Sequence, residues 1–407
     1  MHIVAFCHYY PPEVNAPASR TSEHARVWVG QGHEVTVVTC VPNHPRGQLY
    51  PGYVNRLFQT EEVDGVRVIR VWSWLAANEG FFPRIANYVS FMISALIAMP
   101  RITRPDIILS TSPQFFCGLV GFGARLFWRR PWVLEVRDLW PESIVSVGAM
   151  RRGVSIRFLE WLESAAYRKA DHIISVTDSF VPHIRLRRGQ SGISVVKNGV
   201  DLSFYKPVDG RKSSDFKRRF GFSNRIVAAY VGTHGLAHGL GTIFEAAEML
   251  KDDARIGFLL VGDGSERKNL ELRAKEMSLK NIVIAGQLPK SEMPGVWAAT
   301  DISLIVLRKS DTFKSVLPSK MFEAMAMQRP IVLGVEGEAK KLLESADAGV
   351  SVEPENAREL ADAVLTLVND HDRATTHGKV GMAYVQKHFD RKVLAQDCLR
   401  VFEGLVS

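Results

Sequence analysis

Cysteine is scarce in this chain. Cys7, Cys40, Cys117 and Cys398 are the only four in 407 residues, with no Cys-x-x-Cys pair and no cluster of histidines among them. Neither a disulfide framework nor a zinc site is expected, and the thiols read as reduced, buried and structural, as in a cytosolic protein. Long apolar runs are lacking too. The longest, Ile85 to Met99, has 15 residues and ends at Pro100, against the roughly 20 that a bilayer span needs. It suits a buried helix or, because Arg84, Arg101 and Arg104 flank it, a segment lying in a membrane interface. Met1 to Phe6 run into a strand pattern without a basic leader or cleavage site, so no targeting segment is expected. Short-period repeats and low-complexity tracts do not occur. With 46% hydrophobic and 23% charged residues, the composition is globular and shows no sign of disorder.

The length exceeds what one hydrophobic core usually serves, so two domains are expected. Charge divides unevenly between them. Residues 1–200 hold 22 Lys and Arg, 20 of them Arg, against 15 acids, whereas the remainder holds 29 against 28. The first half should therefore face something anionic: nucleic acid, phospholipid head groups or a phosphorylated substrate. Short β-branched runs alternate with helical stretches throughout. Strands are expected at His2–Cys7, Glu34–Thr39, Val66–Val71, Asp106–Ser110, Trp132–Val136 and His172–Val176. A further strand, Val195 to Asp201, closes this series. The pattern then resets after a polar, basic stretch from Arg211 to Arg219. It continues through Arg225–Val231, Gly257–Val261, Asn281–Ala285, Ile302–Val306 and Pro330–Leu333. This predicts an α/β protein of two Rossmann-like, doubly wound domains facing a cleft, with ligand loops beyond the strands' carboxyl ends.

Several of those loops carry candidate chemistry. Gly232-Thr233-His234-Gly235, then His238-Gly239, follow one strand; Gly262-Asp263-Gly264 and Gly286-Gln287-Leu288 follow the next two. Glycines there let the backbone approach a phosphate or a base, although a tight turn alone explains them equally well. Leu317-Pro318-Ser319-Lys320 looks like a helix start beside a cation, and Glu323 lies one turn on, where a carboxylate could accept hydrogen bonds from ribose hydroxyls. The competing reading is an ordinary surface pair of Lys320 and Glu323. In the first half, Arg137-Asp138-Leu139-Trp140-Pro141-Glu142 ends a strand. Arg137 could bind a phosphate and Asp138 or Glu142 take an acceptor proton, or Arg137 and Asp138 could simply pin the loop.

Taken together, four segments resemble the family 4 glycosyltransferases of GT-B fold, and in particular the bacterial O-antigen and capsule group that includes N-acetylfucosamine transferase-like enzymes. They are His8-Tyr9-Tyr10-Pro11-Pro12-Glu13, Gly32-His33-Glu34-Val35-Thr36-Val37, Asn198-Gly199-Val200-Asp201 and Leu317 to Ala326. The resemblance covers nearly the whole chain. It implies an acceptor-binding domain over 1–195, a donor-binding domain over 196–388 and a terminal helix, 389–407, returning to the first domain. Glu323 would hold the ribose of a nucleotide-sugar, most simply UDP-linked. Amides near Ser319 and Lys320 would serve its diphosphate, and the loop with Tyr10, Pro12, Glu13, Asn15 and Arg20 would face the acceptor. Retention of anomeric configuration, no metal or other cofactor, and a lipid-linked or growing glycan acceptor at the cytoplasmic face of a bacterial membrane follow from the same likeness.

Three positions depart from that family's pattern. Ser315 stands where a glutamate is usual, Thr233 and His238 where an Arg and a Lys grip the diphosphate, and Arg137 where a histidine often ends the strand. Lys320 and His234 are expected to neutralise the phosphates instead. A GT-B epimerase remains a second reading. A nucleic-acid binder is a third, poorly supported because the basic residues of the first half are dispersed through its α/β pattern and no aromatic–basic motif accompanies the clusters at Arg151-Arg152 and Arg185 to Arg188.

Overall fold

The computed structural model describes residues 1–76, 81–112, 114–146, 153–207 and 210–406; Arg151 and Arg152 fall outside them. The chain divides into two compact units, Met1–Asn198 with Arg391–Ser407, and Gly199–Asp390.

The first unit runs β1 (His2–Phe6), α1 (Ala16–Gly30), β2 (Glu34–Cys40), β3 (Phe58–Val63), β4 (Val66–Val71), α2 (Phe81–Ala98), β5 (Ile107–Thr111), α3 (Phe115–Trp128), β6 (Trp132–Val136), α4 (Glu142–Ser146), α5 (Val154–Lys169), β7 (His172–Ser175), α6 (Val181–Arg188) and β8 (Ile193–Val195). The strands form one sheet in the order β3-β4-β2-β1-β5-β6-β7-β8, parallel except for the β3–β4 pair. Alternate residues feed opposite faces, as the period of two requires. Val4, Phe6, Ile108 and Leu134 pack under α2, α3, α5 and α6. Ile3, Ala5, Val37 and Leu109 pack under α1 and the last helix of the chain.

The second unit runs α7 (Gly210–Arg219), β9 (Ile226–Val231), α8 (Gly241–Met249), β10 (Ile256–Val261), α9 (Arg267–Glu276), β11 (Ile282–Gly286), α10 (Met293–Ala299), β12 (Ile302–Val306), α11 (Lys320–Ala326), β13 (Ile331–Gly334), α12 (Glu338–Ala346), β14 (Gly349–Ser351), α13 (Ala357–Asn369) and α14 (His371–His388). Its six-stranded sheet has the order β11-β10-β9-β12-β13-β14, with every pair parallel. Such strands, buried on both faces, explain the unbroken apolar runs of the sequence.

The last helix, α15 (Arg391–Val406), belongs to the first unit. Trp28 Nε1 donates to the Ala395 carbonyl at 2.9 Å, and Arg391 pairs with Glu23 at 3.1 Å.

Two expectations need correction here. Val195 to Asp201 is not a strand, because β8 stops at Val195. Beyond it the carbonyls of Val196 and Lys197 accept from Arg20, at 2.9 and 2.7 Å, and the Asn198 side chain at 3.2 Å. These bonds hold the chain to Asn198 in the first unit, so the units meet three residues beyond 195. Val200 instead receives the backbone of the second unit's end, its amide donating to the Phe389 carbonyl at 3.0 Å. The basic stretch from Arg211 to Arg219 forms α7; Phe216 on it packs against Gly295 of α10.

Candidate functional site

In the second unit three strand-end turns interlock through glycine. Gly262 has φ 149°, and a Cβ there would lie 1.8 Å from the Gly232 carbonyl oxygen; at Gly264 a Cβ would lie 2.4 Å from the His234 oxygen. Only glycine lets these turns touch. The Gly232 amide donates to the Val261 carbonyl, the Gly262 amide to the Gly286 carbonyl and the His234 amide to the Asp263 carbonyl, at 2.9, 2.8 and 2.9 Å. The loops after β9, β10 and β11 therefore form one rigid platform at the carboxyl edge of the sheet.

Lys320 reaches that platform from the first residue of α11. Its Nζ is buried without a hydrogen-bond partner, 3.6 Å from the centroid of the Tyr230 ring. A cation over an aromatic face is attracted, but weakly compared with a hydrogen-bonded ion pair. Burial therefore dominates and lowers the ammonium pKa to about 7, with Glu323 acting in the opposite sense. Tyr230 is itself fixed by donating its hydroxyl to the Thr233 carbonyl at 2.8 Å.

Two histidines share the neighbourhood. Both ring nitrogens of His234 and Nδ1 of His238 are buried without partners, and their rings lie 6.1 and 5.9 Å from that of Tyr230. Burial pulls His234 down to about 4, with Asp263 opposing and Arg267 and Lys320 assisting; it pulls His238 down to about 3, with Lys320 and His234 assisting. Three nitrogen-bearing side chains thus converge beside a glycine platform. Buried polar groups are ordinarily satisfied. Here the arrangement suits an anion with several oxygens, which would supply the acceptors and restore the charged forms.

Glu323 stands one turn along α11. Its Oε2 accepts from Trp297 Nε1 of α10 at 3.1 Å, so the carboxylate is oriented by a fully buried indole. This disposes of the reading of Lys320 and Glu323 as an ordinary solvated surface pair. Ser319 caps α11 without a side-chain capping bond, after Pro318 and the buried Leu317. Ser315 turns its hydroxyl to the Thr312 carbonyl at 2.9 Å, so it does not replace a carboxylate. Gln287 is exposed and Leu288 half-buried just beyond Gly286. Arg267, which sequence reasoning passed over, lies about the same turn: a Cβ on Gly286 would fall 2.9 Å from its Nη1.

The first-unit candidates do not converge. Arg137 donates to the carbonyls of Pro17 and Ala16 at 3.3 and 3.1 Å and lies 3.9 Å from Glu135. Its guanidinium braces the start of α1, and neither it nor Asp138 forms the pair expected of them. Burial raises the Asp138 pKa, with Ser143 and the Leu139 amide opposing. Asp138 lines a small, largely apolar pocket with Phe115, Trp140, Glu163 and Tyr167. Glu142 is half-exposed and 3.2 Å from His183 Nδ1.

On the loop after β1, Asn15 caps α1 by accepting from the Ala18 amide at 2.9 Å; Arg20 lies not on that loop but on α1, buried against Glu135 at 2.8 Å. Both therefore hold structure. Tyr10 is buried and Pro12 exposed. Glu13 Oε1 accepts the amides of Asn43 and His44, both at 2.9 Å, while Oε2 is buried without a partner. Burial raises its pKa to about 7 against those amides and Arg70.

The sequence contains an Asp-x-Asp triplet, Asp370-His371-Asp372, of the kind that binds metal in other transferases. Asp370 here caps α14, accepting from the Arg373 amide at 2.9 Å, and among the described residues no group of three or more His, Cys, Asp or Glu is placed to hold an ion.

Residues 15–199 match the family model of the glycosyl transferase 4-like domain, and residues 225–370 that of glycosyl transferases group 1. WcaI of Escherichia coli (strain K12), named for colanic acid biosynthesis glycosyl transfer, is 23% identical over 416 residues, covering 99% of this chain and all of that protein. Sucrose-phosphate synthase from Thermosynechococcus elongatus superposes with a TM-score of 0.78 at 18% identity, over 99% of this chain and 98% of the other. HepE from Anabaena in complex with UDP gives 0.70 at 18% identity, over the full length of both.

Proposed function

Because the chain is a glycosyltransferase of GT-B fold, carrying a glycosyl transferase 4-like domain and a group 1 domain in sequence, we propose that it moves an N-acetylamino hexose from a UDP-linked donor, with retention and without a metal or other cofactor. The acceptor in this reading is a lipid-linked or growing glycan of a bacterial surface polysaccharide such as an O-antigen or capsule. The protein would work in the cytoplasm, peripherally at the inner face of the plasma membrane, and would not engage nucleic acid. A relative named for colanic acid biosynthesis and a structural neighbour that holds UDP both favour this assignment.

One observation carries it: Lys320 Nζ, His234 and His238 are buried without partners beside the interlocked glycine turns, one helical turn from Glu323. A nucleoside diphosphate matches that set. Its phosphate oxygens would accept from Lys320 and the protonated imidazoles, and its ribose hydroxyls would donate to Glu323. As the bond between the sugar and the diphosphate breaks, negative charge collects on the departing phosphate. Pre-placed cations there stabilise the transition state more than the ground state. The low pKa values of the free protein fit this role, since the groups gain their charge when the anion arrives.

A thermal-shift panel of UDP, GDP and dTDP tests the assignment. UDP at about 100 times its Kd stabilises the unit that binds it by about 2.7 kcal/mol, a shift of about 5–11 °C for a domain of this size. Glu323→Ala removes most of that response. No shift with any of the three nucleotides overturns the donor assignment. Release of a new sugar nucleotide or free sugar in the absence of any acceptor would favour an epimerase.

A further inference from the structure

The excess charge of the first half is confined to one stretch. Residues 81–190, which span α2 to α6, hold fifteen Lys and Arg against eight Asp and Glu, and residues 1–80 are close to neutral. Helices α2, α3, α5 and α6 all pack on the same face of the first unit's sheet. That same stretch exposes nine large hydrophobic side chains among the described residues: Phe82, Ile93 and Ile97 near or on α2, Leu126 and Phe127 on α3, Val154, Phe158 and Trp161 on α5, and Leu186 on α6. The opposite layer, α1 and α15, exposes only Val393 and Val406.

On α5 the pattern is sharpest. Val154, Phe158 and Trp161 follow one another at spacings of four and three, one stripe of a helix, and are 83%, 57% and 58% exposed. Ile156, Glu163, Ala166 and Tyr167 face the core instead. The Phe158 and Trp161 rings stack on each other with centroids 5.9 Å apart, with more than half of each residue's surface left open. Arg157, Arg168 and Lys169 are exposed along the same helix, and Glu160, half-buried, is its sole acid outside the core. Helix α2 is long and apolar enough to cross a membrane by composition, yet it packs on α3 and is partly buried in the unit. It therefore contributes a surface rather than a span.

We propose that the outer face of this helical layer docks on an anionic lipid surface, with Phe158 and Trp161 of α5 as its interfacial anchors and the surrounding arginines as its charge match. The inference rests on the lipid-linked acceptor in the function proposed above, and adds which face meets the lipid. Aromatic side chains with one polar edge favour the head-group level of a bilayer, and basic side chains close to it are drawn by anionic lipid. An exposed apolar set rimmed by one sign of charge marks an interaction surface. The set is spread over four helices and none of its members lines the pocket beside Asp138, and this favours a lipid surface over a protein partner.

Co-sedimentation of the full chain with sucrose-loaded vesicles tests this. Vesicles of phosphatidylcholine with 30% phosphatidylglycerol should pull the protein down, pure phosphatidylcholine vesicles much less, and rising NaCl should weaken the binding. Phe158→Ser with Trp161→Ser should lower the partition onto the anionic vesicles about tenfold or more, and Arg157→Glu with Arg168→Glu should lower it while flattening the salt dependence. Both double variants sit on the surface, and an unchanged thermal response to UDP shows that they remain folded. Binding that is absent, that ignores lipid charge, or that survives Phe158→Ser with Trp161→Ser overturns the proposal. UDP binding in the same samples reports separately on the donor site, so failure of the docking face and failure of the donor assignment give different results.

Discussion

The two units share a plan of parallel strands and flanking helices but hold their strand-end loops by opposite means. In the first, buried arginines do it. Arg70 donates to the Cys40 carbonyl at 3.0 Å and the Pro11 carbonyl at 2.6 Å, Arg137 to those of Ala16 and Pro17, and Arg20 to Val196 and Lys197 while pairing with Glu135. In the second, backbone meets backbone across Gly232, Gly262 and Gly264, and the nearby Lys320 ammonium, both His234 ring nitrogens and His238 Nδ1 are left without hydrogen-bond partners. The difference shows where a ligand anion would be welcome. Cations already engaged with carbonyls and carboxylates are structural, whereas Lys320, His234 and His238 await a partner. The basic balance of the first half thus has two origins, braces inside and a charged layer outside.

The largest effect should come from breaking a brace. Arg20→Met leaves Glu135 buried with only the longer contact to Arg137, and losing one partner of a buried pair costs about 3–5 kcal/mol. The first calorimetric transition should fall steeply, while UDP still stabilises the protein at temperatures where it is folded. Gly262→Ala attacks the other device. A methyl 1.8 Å from the Gly232 oxygen forces the turns apart, at a cost of about 2–3 kcal/mol, and here the UDP response should vanish with the stability. If UDP stabilises Gly262→Ala normally, the platform is not part of the donor site.

Lys320→Met separates structure from function more finely. It replaces a buried, unpartnered cation by an apolar chain of similar length, so stability should hold or rise by up to about 1 kcal/mol, while UDP affinity drops about tenfold or more. A variant that loses stability but keeps affinity would assign Lys320 a structural task. The smallest effect is one of pH. Burial lowers the Lys320 pKa to about 7 in the folded protein, against about 10.4 unfolded. Between those values the unfolded chain binds the additional proton, so this group makes stability rise with pH across that window. UDP affinity should run the other way, falling above pH 7 as the free ammonium is lost. Lys320→Met should flatten both slopes; calorimetric melts and UDP titrations at pH 6.5, 7.5 and 8.5 measure them.

Much of this was legible in the residues alone. Strands such as Ile256–Val261 and Ile226–Val231 are unbroken apolar runs, as strands of a buried parallel sheet are. Strand β3, Phe-Gln-Thr-Glu-Glu-Val, escaped because it lies at the sheet's antiparallel edge, where alternating charge faces water. The overlong strand at Val195 to Asp201 came from reading Val196 as a ladder residue when its carbonyl belongs to Arg20.

At the donor side, Lys320, His234, His238 and Glu323 could be picked out because their types suit phosphate and ribose. Tyr230, Trp297 and Arg267 could not. Their parts depend on β9, α9 and α10 meeting α11 and the glycine turns, which local sequence does not encode. At Arg137 the strand end was read correctly, but the direction of the side chain was not. Only the fold shows that the Ala16 and Pro17 carbonyls need its donors.

The most direct test is a crystal structure of the protein with UDP. The account predicts the ribose hydroxyls within hydrogen-bond distance of the Glu323 carboxylate and the Lys320 Nζ drawn off the Tyr230 ring onto a phosphate oxygen. UDP bound elsewhere, with Lys320 still over Tyr230 and Glu323 touching only Trp297, would contradict it.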